Sequence, residues 1–139
     1  MPNEPLWLPK SAAILFNEQA VAETGENHAL LDEAKLEGAL MRPQNLFHYT
    51  FNYDTVSLAT SYMLAIAQAH PFEQGNKRTG FTSGFAFMFT NGYELLPQAD
   101  TELLAVVFLE AMDGTCEARF LEEMLKQSVV LASDEIPDL

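Results

Sequence analysis

The fifteen residues from Thr55 to Ala69 include Val56, Leu58, Ala59, Tyr62, Met63, Leu64, Ala65, Ile66, Ala67 and Ala69, a helical stretch with almost no polar face. A helix that is apolar nearly all round is stable only where other elements cover it. Asp54 stands ready to cap its first turn, and its alanines let neighbouring helices come close. The stretch is shorter than the roughly 18–20 apolar residues of a membrane span. It therefore reads as the centre of a core that the rest of the chain has to build.

The flanking patterns supply that cover. From Lys10 to about Thr24, Ala13, Leu15, Phe16, Ala20 and Val21 fall at helical spacing, and Gly25 is the stop. Asp32 caps a second helix that runs to Met41, after which Arg42-Pro43-Gln44-Asn45 breaks or restarts the chain in a turn stitched by side chains. Phe47, Tyr49, Phe51 and Tyr53 then alternate with His48, Thr50 and Asn52, which fits a short β flap over residues 46–53 and equally a loop whose aromatics cover the core. A second apolar helix, about Asn76 to Thr90, carries Phe81, Phe85, Met88 and Phe89, with Gly84 marking close helix approach and Asn91-Gly92 ending it. Asp100 caps a helix through Met112, and a last one runs from about Cys116 to Val130. Residues 1–9 form an extended, proline-rich lead with Trp7 as packing anchor, and residues 133–139 form an acidic, frayed tail. The expectation is one all-α domain over residues 1–139, a bundle of about six helices around the Asp54–Thr90 hairpin.

Twenty acids against seven Lys plus Arg give a net charge of −13, which argues against a generic nucleic-acid binder. Lys77 and Arg78 are the one adjacent cation pair. Cys116 is alone, so no intramolecular disulfide or cysteine zinc set can form. The N-terminus lacks the basic and apolar regions of a signal peptide, which places the protein in the cytoplasm.

That cation pair lies in His70-Pro71-Phe72-Glu73-Gln74-Gly75-Asn76-Lys77-Arg78-Thr79-Gly80, a loop leaving one buried helix and entering another. The first N–H groups of the second helix have no partners within it, and its positive dipole end faces the loop, so anions are favoured there. Lys77 and Arg78 in the first turn are disfavoured by about 0.3–1 kcal/mol each unless an anion neutralises them. His70 brings the side chain best suited to moving a proton near neutral pH. Phe72 pins the loop to the core, and Gly75, Asn76, Lys77, Arg78 and Thr79 are the candidate nucleotide or phosphate contacts. His28 and His48 lie outside this loop and read as solvent-facing or hydrogen-bonded bystanders.

The loop resembles the signature of the Fic/Doc family, His-x-Phe-x-Asp/Glu-x-Asn followed by Gly-Arg in Fic enzymes or Lys-Arg in the Doc (death-on-curing) toxin branch. His70, Phe72, Asn76 and Arg78 fit both branches, Pro71 and Gly75 are Fic-like, and Lys77 is Doc-like. The resemblance runs from the first helix to the last and is densest from Leu30 to Leu95. Phe81 stands where Fic enzymes carry a second arginine, and Gln74 stands at the position of the family's metal-linked carboxylate. A glutamine offers magnesium only a neutral carbonyl, so a weakened site is expected, with Glu73 as the adjacent acid.

The resemblance implies a Doc-like toxin of a toxin–antitoxin pair, moving the terminal phosphate of ATP to a Thr or Ser hydroxyl of a target protein. His70 is then the general base, and Asn76, Lys77 and Arg78 hold the phosphates. In Doc relatives the target is translation elongation factor Tu. Fic-type AMP transfer and a catalytically impaired phosphate-binding or interaction module are the alternatives, the latter favoured by Gln74. The inhibitory Ser/Thr-x-x-x-Glu-Gly/Asn sequence of self-restrained Fic proteins is absent, so the expected partner is a separate Phd-like antitoxin.

Overall fold

A computed structural model describes residues 3–132 of the chain. Six helices dominate it: α1 (Lys10–Thr24), α2 (Glu33–Tyr49), α3 (Thr55–Ala69), α4 (Asn76–Thr90), α5 (Thr101–Asp113) and α6 (Ala118–Ser128). Two three-residue strands, β1 (Tyr93–Leu95) and β2 (Val129–Leu131), pair antiparallel with Glu94 opposite Val130. This is the expected mostly helical bundle. Residues 133–139, read above as an acidic tail, lie outside the described residues.

α3 is the axle. Val56, Leu58, Ala59, Tyr62, Met63, Ala65, Ile66 and Ala67 are all buried, and α2, α4, α5 and α6 pack around it. Its first turn is capped by Asp54, whose carboxylate accepts from the N–H groups of Val56 and Ser57. α4 lies against it at very short range. A Cβ on Gly80 would sit 2.5 Å from the Met63 carbonyl oxygen, and one on Gly84 would sit 2.9 Å from that of Ala59. Only glycine permits the two backbones to approach this far.

Four expectations need correction. Pro43 does not break the chain; it lies inside α2. The missing N–H costs about 3 kcal/mol, but Leu36, Ala39, Leu40, Pro43 and Phe47 form one buried stripe, and its burial offsets the lost bond. The flap over 46–53 is not a strand, because α2 continues to Tyr49. With no partner strand, that segment satisfies its backbone within the helix and its cap: the Thr50 and Asn52 N–H groups both converge on the Leu46 carbonyl. The sheet instead joins 93–95 to 129–131, so Val129 and Val130 leave the last helix for β2. In α1 the inward stripe is Ala13, Asn17 and Val21, and Leu15 is exposed.

The N-terminal lead folds back onto the core. Asn91 exchanges two hydrogen bonds with the Leu6 backbone, and the Leu8 N–H donates to the Tyr62 hydroxyl. Trp7 stacks on Phe87 at 5.8 Å and meets Phe47 edge-on.

Candidate active site

The α3–α4 loop is held from three directions. His70 ends α3 in the left-handed conformation (φ 49°, ψ 53°), a state that costs a non-glycine residue about 1–2 kcal/mol. Pro71 and Phe72 are buried directly after it. The Pro71 carbonyl accepts from the N–H groups of Leu31 and Asp32, the Glu73 N–H donates to the Ala29 carbonyl, and Leu30 bridges Phe72. The α1–α2 connector thus runs antiparallel to the loop and locks the turn that presents His70. Leu30 and Leu31, just ahead of the Asp32 cap of α2, serve here as extended backbone.

Asn76 closes the loop on itself. Its Oδ1 accepts from the Phe72 N–H and its Nδ2 donates to the Phe72 carbonyl, both at 2.9 Å. The second Nδ2 hydrogen is all that this amide keeps for a ligand. Gly75 is left-handed (φ 75°), which strains any other residue, and a Cβ there would press on α1 at 3.1 Å from Val21 Cγ1.

Asp32, Asp54 and Asp100 cap α2, α3 and α5, whereas Gly75 gives α4 no side-chain cap. The Thr79 N–H is the first to be satisfied within this turn, by the Gly75 carbonyl. The N–H groups of Asn76, Lys77 and Arg78 therefore begin the helix without intrahelical acceptors.

These groups line a cavity of about 350 Å³ with His70, Glu73, Gln74, Gly75 and Glu26. His70 and Lys77 are exposed on its wall. Arg78 is turned toward α1, where Nη1 donates to the Ala20 carbonyl at 2.9 Å and Nη2 donates to Glu26 Oε1 at 2.5 Å. Thr79, grouped above with the phosphate contacts, is off the wall: it is completely buried and its hydroxyl accepts from Asn17. Phe81, at the place of the family's second arginine, packs between Phe85 and Phe108 at ring distances of 5.0 and 5.3 Å.

Glu73 and Gln74 are exposed, and among the described residues no group of three or more His, Cys, Asp or Glu comes together to hold a metal. Glu26 is already paired with Arg78. This donor set does not fit a metal site held by the protein alone.

Reading the sequence missed Glu26 and Asn17, and it placed His28 only as a bystander, which the structure shows hydrogen-bonded to Asn17. Asn17 carried a faint signal, a polar residue on the apolar stripe of α1; Glu26 and His28, both on the α1–α2 connector, carried none.

Two comparisons bear on this arrangement. A family model described as Fic/DOC family matches residues 7–88, from the lead through α4. The chain is also 24% identical over 114 residues to Protein kinase doc of Escherichia phage P1, covering 82% of this chain and 88% of that protein. A family match over more than half of the chain, with its signature residues gathered on one cavity loop, means that the chain belongs to the Fic/DOC family.

Proposed function

We propose that this protein is a Doc-like toxin that transfers the terminal phosphate of ATP to a Thr or Ser hydroxyl of a target protein. The observation that carries the reading is His70 standing over a cavity whose floor is the uncapped N-terminus of α4. The similarity to the phage protein, which is named a protein kinase, supports it. His70 accepts the hydroxyl proton as the target oxygen bonds to the γ-phosphorus, and the bond from that phosphorus to the β-bridging oxygen breaks, releasing ADP. The N–H groups of the first α4 turn and the Lys77 ammonium stabilise the charge that gathers on the transferring phosphoryl oxygens. Arg78 contributes once a phosphate competes with Glu26 for its guanidinium. Among the described residues the protein alone forms no magnesium site.

Phe81, half-buried and packed between aromatic rings, offers no cation to an AMP-transfer geometry, which favours phosphate transfer. A binding module with little catalysis is the second reading, favoured by Gln74. The partners follow from the toxin reading: a separate Phd-like antitoxin whose disordered tail folds on binding, and elongation factor Tu as the first target to try.

The test supplies ATP labelled at the γ- or the α-phosphate together with a bacterial translation extract. Label from the γ-position is expected in one protein, with His70→Ala lowering transfer about 10²–10⁴-fold. Label arriving only from the α-position would reverse the choice of reaction, and full activity in folded His70→Ala would remove the enzyme assignment.

A further inference from the structure

Asn17 is completely buried in the middle of the inward stripe of α1, between Ala13 and Val21. A polar side chain there is destabilising unless each of its groups finds a partner. All of them do. Nδ2 donates to the Gln74 carbonyl at 2.8 Å and to Thr79 Oγ1 at 3.1 Å, and Oδ1 lies 2.8 Å from His28 Nδ1.

Chemistry settles how these groups are oriented. A backbone carbonyl only accepts, so the amide nitrogen faces Gln74 and Oδ1 faces His28. An amide oxygen also only accepts, so His28 Nδ1 must carry a proton. Neutral His28 is therefore held as the Nδ1–H tautomer, with Nε2 3.9 Å from Glu18 and its ring 5.9 Å from that of Phe72.

Gln74 and Thr79 flank the N–H groups that form the cavity floor. We infer that Asn17 and His28 are positioning residues for the anion loop: His28 orients the Asn17 amide, and Asn17 ties Gln74 to Thr79 so that the first α4 turn stays aimed into the cavity. Neither residue lines the cavity, so both act through the loop they hold. The inference deepens the proposed phosphate site, and only its affinity arm rests on that reading.

Two substitutions separate the hydrogen bond from the packing. His28→Phe keeps a ring against Phe72 and removes the N–H, while His28→Asn returns an N–H close to the Nδ1 position. With ATP as the probe in calorimetry, His28→Phe is expected to bind about tenfold more weakly and His28→Asn within about threefold of the parent. Unchanged binding in His28→Phe, or an equal loss in both variants, overturns the inference. A nucleotide-free arm uses nitrogen-15 NMR of the parent above neutral pH, where His28 is expected to show protonated Nδ1 and bare Nε2; the opposite tautomer overturns the inference. If the parent binds no ATP, the phosphate reading falls by itself, and amide exchange over residues 74–79 still decides the positioning role. Faster exchange in His28→Phe that His28→Asn reverses supports it, and unchanged exchange overturns it.

Discussion

Glu26 Oε1 lies 2.5 Å from Arg78 Nη2 on the wall of the cavity that His70 overlooks. The same oxygen accepts from the Thr24 hydroxyl, and that bond together with Arg78 holds the Glu26 carboxyl below its usual value. A carboxyl lowered in this way keeps its pairing at every pH above the ordinary value of 4.5 and loses it only as pH falls through the lower folded one. Near neutrality a phosphate therefore meets a paired arginine with a carboxylate beside it. Glu26→Gln removes this like charge and frees guanidinium donors, so ATP affinity is expected to rise about three- to tenfold. The gain should be level across the neutral range. Calorimetry showing unchanged or weaker binding would mean that Glu26 orients Arg78 for the ligand instead of competing with it.

Gln74→Asp places a carboxylate beside the phosphate loop, where the natural chain has a neutral amide. Magnesium is bound through one or two carboxylates plus phosphate oxygens, so metal–ATP affinity and phosphate transfer should both increase and depend more steeply on magnesium. The gain should disappear when magnesium is chelated. No change in either quantity would show that Glu73 already fills this role.

Gly80→Ala puts a methyl group 2.5 Å from the Met63 carbonyl and 3.2 Å from the Ala67 nitrogen. Both are backbone atoms of α3, so the helices have to part. Overpacking of this kind costs about 1–3 kcal/mol, and thermal unfolding should shift down by about 3–10 °C. A Tm equal to that of the parent would mean that the α3–α4 spacing is softer than the contact indicates.

Asp54→Asn keeps a competent cap on α3 but loses the ion pair with Lys126, whose ammonium lies 3.0 Å from Asp54 Oδ2. Burial pulls the Asp54 carboxyl upward, yet the Lys126 hydrogen bond and the Ser57 and Val56 N–H groups outweigh it and leave it lowered. Stability from the pair is then present above the unfolded value of 3.8 and lost as pH falls through the folded one. Because the site is partly exposed, the loss near neutrality should be about 0.5–1 kcal/mol. Denaturant unfolding should show the two proteins converging in acid; a gap that persists there would assign the effect to capping.

Where local chemistry and apolar pattern agree, the sequence alone was sufficient. Asp54 and Pro71 bracket α3, Gly75 and Asn91-Gly92 bracket α4, and the helices run from Thr55 to Ala69 and from Asn76 to Thr90. The loop between them was legible for the same reason, since Pro71 and the glycine force a turn and Lys77 and Arg78 conflict with the helix dipole that follows. The α2 helix was misread because its proline obeys a tertiary rule: the buried stripe through Pro43 outweighs one missing hydrogen bond. The strand pair was invisible because three-residue strands carry no periodicity, and each exists only because the other lies alongside it.

The state of the loop's own residues was decided by tertiary structure. Arg78 meets Glu26 across 52 positions of chain, and Asn17 meets Gln74 across 57 and Thr79 across 62. Periodicity in a sequence records which face of a helix is apolar, because that face repeats every few residues. A single hydrogen bond between segments so far apart repeats nowhere, and packing α1 against α4 is what turns Asn17 from an irregularity on an apolar stripe into the residue that holds the loop.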